Sequence, residues 1–205
     1  MNQNKLYYIT QLETKVSIMP DQLDSNIDDH MLKNLKEKVE KKCMENGIVM
    51  HVNRLIDYDY GVIDKVNFTA TTVYTVTYEC LLCSPIKELE IIGQLQNIIK
   101  GYLLLDNGPL IIAVKLSAID ERYFKVVDNN TVTIISTGKN LQKGQYLKVS
   151  IININSNLGE RNITGVGKLI NVASKEEIAQ FKEEMKIINE EEYQEDEEGD
   201  EKEFI

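Results

Sequence analysis

Apolar and polar positions follow different periods along the chain, and each change of period marks an element. Leu6 to Ile18 has an extended texture, with Val16 and Ile18 turned to one face, and Pro20 ends it. Asp24 or Ser25 then offers a helix cap. Ile27, Met31, Leu35, Val39 and Cys43 recur every four residues with Leu32 beside them, which predicts one helix with an apolar stripe. Lys36, Lys38, Lys41 and Lys42 fall on or near its wet side. Asn46-Gly47 reads as the stop of that helix. Ile48 to Ile56 alternates as a strand, with Ile48, Met50 and Val52 on one face. Asp57 to Gly61 is a turn with Tyr58 and Tyr60 at its tip. A long strand region follows from Val66 to Cys83, whose even positions Tyr74, Val76, Tyr78, Cys80 and Leu82 share a face.

After Pro85 the texture shifts to short apolar runs. They lie at Glu88 to Ile99, Tyr102 to Leu105, Leu110 to Lys115, Phe124 to Val127, Thr131 to Ile135, Tyr146 to Ile154 and Ile163 to Val172. Turn-forming residues separate them, at Asp106-Asn107-Gly108-Pro109 and at Ser156-Asn157-Leu158-Gly159 among others. Short strands at regular spacing predict a small closed barrel, and about 85 residues suits an oligonucleotide-binding barrel, the OB-fold. Ser174-Lys175-Glu176-Glu177 is a capping box, and Ile178, Phe181, Met185 and Ile188 continue it as a helical stripe. From residue 190 the chain holds ten acids and one lysine, a composition that predicts disorder. The fold class is therefore α+β. A strand-helix-strand unit over 1–84 precedes an OB-fold barrel over 85–173, an amphipathic helix over 174–189 and an acidic tail over 190–205.

Composition sharpens this picture at one point. The 205 residues carry 33 acids and 23 bases, but the imbalance is local. Residues 176–205 hold 14 acids and 3 bases, whereas residues 1–175 hold 19 acids and 20 bases. A nearly neutral body with an acidic tail is not a strongly basic nucleic-acid binder of the histone type. No apolar run reaches ~18 residues, so no membrane-spanning helix is expected. The opening residues lack the pattern of a secretory leader, and three cysteines make no disulfide framework, so a reducing compartment is expected.

The cheapest catalytic readings fail. Cys80 and Cys83 have the spacing of a zinc or redox pair, but strand positions three apart face opposite ways. Gly165-Val166-Gly167 lacks the further glycine and helix of a dinucleotide site and reads as strand glycines. His30 and His51 have no nucleophile near them in sequence, and Asp57 with Asp59 reads as a solvated turn. No metal, cofactor or catalytic residue is expected. What remains is binding. A barrel of this type can stack bases on Tyr102, Tyr123, Phe124 or Tyr146 and meet phosphates with Lys100, Lys115, Arg122, Lys148, Arg161 and Lys168.

The order of the pieces is more specific than any of them. Val16-Ser17-Ile18-Met19-Pro20 with Leu23, Asp24 and Ile27, then Glu45-Asn46-Gly47-Ile48-Val49, then Tyr74 to Pro85 form an ordered set. In the barrel, Glu90-Ile91-Ile92-Gly93, Gly101-Tyr102, Gly108-Pro109-Leu110 with Val114, and Lys143-Gly144 before Tyr146-Leu147-Lys148-Val149 continue it. Over residues 6–173 this set resembles the stalk subunit of multisubunit DNA-directed RNA polymerases, the seventh subunit of eukaryotic RNA polymerase II and its archaeal counterpart. Lys115 stands where that family often has a small residue, the tip loop from Asp57 to Asp64 is short, and the acidic extension lies outside the common pattern. The resemblance implies a non-catalytic accessory subunit. Its N-terminal unit would dock on the polymerase core subunits through Tyr58, Tyr60, Gly61 and Val62, and its barrel would contact single-stranded RNA. A second stalk subunit is a further implied partner. A viral origin would place the chain in the virion and host cytoplasm, and a cellular eukaryotic one in the nucleus. The alternatives are a free-standing OB-fold RNA-binding protein of translation or RNA processing, and an enzyme whose site the sequence does not show.

Overall fold

The computed structural model describes residues 5–63 and 70–200, with their side chains apart from 187 and 189–200. The chain divides into two compact units, Tyr7–Cys83 and the part from Ser84 onward. Among the described residues no helix is long and apolar enough to cross a membrane.

In the first unit, strands β1 (Tyr7–Ile18), β2 (Lys42–Met44), β3 (Gly47–Tyr58), β4 (Val62–Ile63) and β5 (Thr72–Cys83) form one antiparallel sheet in the order β1-β5-β3-β2. The short β4 joins β5 beyond the end of β3. Helix α1 (Ile27–Val39) buries Met31, Leu35 and Val39 against this sheet. Val16 and Ile18 of β1 and Val76, Tyr78, Cys80 and Leu82 of β5 share its core, as strict alternation predicts. The part of the expected Val66–Cys83 strand that falls on 64–69 lies outside the described residues.

Two expectations in this unit need correction. Of Ile48, Met50 and Val52, expected together on one face of β3, only Val52 lies on the face that meets the core of α1. Three bulges, at Val49/His51, Val52/Arg54 and Leu55/Asp57, each insert one extra residue against β5. The register therefore pairs Val49, Val52, Leu55 and Tyr58 with Leu82, Cys80, Tyr78 and Val76, three residues of β3 for every two of β5. The core face accordingly holds Val49 and Val52, with Leu55 and Tyr58 packed beside them. The second correction concerns Cys43, which belongs to β2 rather than to the helix. Helix α1 ends at Val39, Glu40 turns extended, and Lys41 adopts a left-handed φ of 55°. The Glu40 carboxylate then accepts the Val52 amide at 2.7 Å and lies 3.4 Å from His51. Asn46-Gly47 thus forms a hairpin turn between β2 and β3, with Gly47 at φ 136°.

The second unit is a closed five-stranded barrel of β6 (Glu90–Ile99), β7 (Tyr102–Asn107), β8 (Leu110–Ile119), β11 (Tyr146–Asn155) and β12 (Ile163–Val172). The neighbours run β6-β7-β8-β12-β11 and back to β6, with only β8 and β12 parallel. This is a partly Greek-key barrel of the OB type. A hairpin of β9 (Phe124–Asp128) and β10 (Thr131–Ile134) is inserted between β8 and β11, and its Phe124 and Val132 are buried. Gly165 and Gly167 point into the barrel as strand glycines, and at Gly167 close packing leaves no room for a Cβ.

Helix α2 (Lys175–Asp200) follows the barrel. The Ser174–Glu177 capping box forms as expected, with the Ser174 amide donating to Glu177 at 2.8 Å and the Glu177 amide to Ser174 Oγ at 3.2 Å. The helix is longer than the 174–189 read from its apolar stripe. Glutamate and glutamine are good helix formers and no proline interrupts them, so helical backbone continues into the acidic stretch as far as Asp200. Residues 201–205 lie outside the described residues.

Cys43, Cys80 and Cys83 are buried, and burial pushes the Cys80 thiol up to about 11 and the Cys83 thiol up to about 12. Such thiols are packing residues with no nucleophilic character near neutral pH.

Candidate functional site

The tip of the first unit separates its two tyrosines. Tyr58 is part of the fold. Its hydroxyl donates to the Asp28 carboxylate of α1 at 2.7 Å, and its ring meets Tyr74 edge-on with centroids 5.8 Å apart. The bond to Asp28 raises the Tyr58 phenol above its ordinary range. Tyr60 is 96% exposed, and Val62 and Ile63 beyond it are 65% and 57% exposed. Gly61 lies so close to Thr72 and Tyr74 that a Cβ there would sit 2.5 Å from Tyr74 Cζ and closer still to Thr72. Gly61 lets the chain hug β5 and present Tyr60 and Val62 outward.

On the barrel, the register sorts the candidate RNA residues by position. Tyr102 opens β7 and pairs directly with Lys115 of β8, both facing outward. Lys100 sits in the β6–β7 turn beside them, with φ 47°. Lys168 faces outward from β12, next to the bulged end of β8. Lys100, Tyr102, Lys115 and Lys168 are thus gathered at one end of the barrel, where the β6–β7 turn also bonds the β9–β10 hairpin through Gly101 and Asn129. Arg161 is exposed in the β11–β12 loop, at the opposite end, where Ile163 bonds Pro109.

Two candidate bases are already engaged. Arg122 forks onto Asp120, with Nε 3.0 Å from Oδ1 and Nη2 2.6 Å from Oδ2. Its guanidinium also lies 5.7 Å from the Tyr123 ring. That fork, helped by the charge of Lys168, holds the Asp120 carboxyl down at about 2. A phosphate would have to displace this carboxylate to reach Arg122. Lys148 is held between Glu90 at 2.9 Å and Glu177 of α2 at 3.3 Å, and both raise its pKa. Phe181 of α2 packs on Tyr146 with centroids 5.6 Å apart.

Glu177 has a pH consequence. Its carboxyl is depressed first by the Ser174 amide and then by Lys148. A depressed carboxylate stabilises the folded arrangement above its unfolded pKa, and that contribution is lost as pH falls through the lower, folded value. The start of α2 is therefore expected to loosen below the usual glutamate range, before the barrel itself unfolds. Amide exchange of residues 175–188 measured against pH checks this, and exchange that stays flat until global unfolding would refute it.

Comparison with known proteins adds the missing context. No family model matches the chain. Over 188 residues, 92% of this chain and 94% of the relative, it is 46% identical to a putative DNA-directed RNA polymerase subunit of Acanthamoeba polyphaga mimivirus. The chain belongs to that RNA polymerase subunit family. The match spans both the sheet unit and the barrel, so family membership covers the whole architecture and not a shared barrel alone.

Among the described residues no group of three or more histidine, cysteine and carboxylate side chains is placed to hold a metal ion. Sequence reasoning missed the partners that occupy its candidates. Asp120 is legible as an acid two residues before Arg122. Glu177 is 29 positions from Lys148 and gives no local signal. Ile99 and Val127, 41% and 60% exposed near the gathered end of the barrel, were hidden among apolar strand positions that elsewhere face inward.

Proposed function

We propose that the chain is a non-catalytic stalk subunit of a DNA-directed RNA polymerase, docked on the polymerase core by its first unit and touching nascent single-stranded RNA with its barrel. The observation that carries this reading is 46% identity across nearly the full length of a viral polymerase subunit, in a chain that pairs a tipped sheet unit with an OB-type barrel. Because that relative is viral, the virion and host cytoplasm are the proposed location. A second stalk subunit is the proposed neighbour.

Affinity purification of the tagged full chain from infected or expressing cells tests the docking. Stoichiometric recovery of the large polymerase subunits is expected. Recovery of RNA without those subunits would replace this reading with a free-standing RNA-binding protein.

The RNA contact has its own test. Tyr102 offers a stacking face beside Lys115, with Lys100 and Lys168 near, so the expected binding is weak and tolerant of sequence. About three phosphate contacts at ~0.7 each give a log–log salt slope of roughly 2. Tyr102→Ala with Lys115→Gln is expected to lower affinity for a labelled oligouridylate by about tenfold, one stacked base and one phosphate contact. Arg122→Gln is expected to change it little, because Asp120 already occupies that guanidinium. Unchanged affinity in the double variant would remove this end of the barrel as the contact.

A further inference from the structure

We propose that Tyr146 and Lys148 form a second single-stranded RNA contact on the barrel, and that the first turns of α2 hold it closed by occupying it. The proposal rests on the RNA-contact reading above and adds a site and its regulation.

Tyr146 and Lys148 lie two residues apart on β11 and face outward together, opposite Gln94 and Ile92 of β6. An aromatic ring next to a lysine on the outer face of such a barrel is the pairing that single-stranded nucleic acid uses, the ring for a base and the ammonium for a phosphate. Both are covered by groups of matching chemistry. Phe181 places an aromatic ring 5.6 Å from Tyr146, where a base would stack. Lys182 brings its ammonium 5.5 Å from the same ring. Lys148 Nζ keeps Glu90 of β6 at 2.9 Å whether or not the helix is seated, and Glu177 adds a second carboxylate at 3.3 Å, the position a phosphate oxygen would take over. The helix thus imitates a nucleotide in ring and in charge.

The cover is shallow. Ile178, Phe181, Met185 and Ile188 are all only partly buried, whereas Leu147, Val149 and Ile151 of β11 are sealed in the barrel. The outward positions of β6 and β11 on this face are Glu90, Ile92, Gln94, Tyr146, Lys148 and Ser150, a seat more polar than an apolar helical stripe requires. Displacement of the helix also changes the local charge. Residues 85–173 carry ten bases and seven acids, and residues 174–205 carry four bases and fourteen acids. A barrel relieved of the helix therefore presents a positive balance to a polyanion, and a covered one does not.

The test uses the full chain. Glu177→Gln with Phe181→Ala removes both imitating groups while leaving the acidic stretch in place. Phe181→Asp is a second opening variant that sets a charge against Tyr146. Faster amide exchange over 175–188 reports opening. Binding of a labelled oligouridylate at low salt is expected to tighten about tenfold on opening, with the salt slope steeper by about 0.7 for one added phosphate contact. Adding Tyr146→Ala and Lys148→Gln to the opened chain is expected to abolish that gain. A gain that survives those two changes overturns the proposal, as does an opened helix with no gain in a chain that still binds RNA through Tyr102 and Lys115. Capture of a polymerase subunit by the opened face, with RNA affinity unchanged, also overturns it and makes the face a protein seat. If no variant binds RNA at all, the RNA reading of the barrel falls, an outcome distinct from the failure of this one site.

Discussion

A chain carrying Gly167→Ala is expected to lose roughly 1–3 kcal/mol of barrel stability, the usual cost of forcing a methyl into a full core. The position is closed on three sides. A Cβ there would collide with Val149 Cγ1 and lie 2.9 Å from Ile112 Cγ2 and 3.1 Å from the Ser150 carbonyl oxygen. Val149 and Ile112 are both buried and β-branched, so neither can swing away without leaving its rotamer. For a unit of this size the melting temperature of the barrel should fall by about 4–8 °C for each kcal/mol lost. Gly165 is the internal control. A Cβ there meets the Asn153 carbonyl oxygen at 3.3 Å and side-chain atoms only at 3.8 Å and beyond. Gly165→Ala should therefore be nearly neutral, because the entropy gained by replacing a strand glycine offsets a modest contact. Thermal denaturation, with the barrel transition assigned by amide exchange over 90–172, separates the two. Equal losses at both positions would show that the interior near β12 is looser than the structure has it.

The contrast between β12 and β3 shows what a sequence can and cannot say about this fold. In β12 the inward residues Ile163, Gly165, Gly167 and Leu169 keep a strict period of two, and β5 does the same with Val76, Tyr78, Cys80 and Leu82. Both faces are legible from alternation alone. In β3 three bulges change the period to three, and a bulge is set by how a strand coils against its neighbour rather than by its own residues. The end of α1 failed for a related reason. Cys43 lies four residues beyond Val39 and satisfies the helical spacing, while the break at Glu40 and Lys41 depends on the Val52 amide, a partner twelve residues away. The candidate site divides along the same line. Lys100, Tyr102 and Lys115 are gathered by a turn and its hairpin register, so local reading reached them. The engagement of Lys148 by Glu177, and of Tyr146 by Phe181, depends on where a distant helix comes to rest.

The tip of the first unit offers the sharpest separation of folding from function. Tyr58→Ala is expected to cost about 2–4 kcal/mol, since it deletes a partly buried ring, its edge-on contact with Tyr74 and its hydrogen bond to Asp28. Assembly with the polymerase should then fail because the unit is less stable. Tyr60→Ala is expected to leave the melting temperature unchanged, because a surface side chain with 96% exposure contributes within about 0.5 kcal/mol. If Tyr60 is the anchor of the docked tip, its removal should weaken assembly by about 2 kcal/mol, close to thirtyfold in affinity. Val62→Ser should act in the same direction and by less, since β4 pairing with β5 is made by the backbone and survives the change. Differential scanning fluorimetry and titration of each variant against purified polymerase core measure the two quantities independently. A Tyr60→Ala chain that melts normally and assembles normally would move the docking surface away from the tip. A Tyr60→Ala chain that melts low would show that this tyrosine, like Tyr58, belongs to the fold.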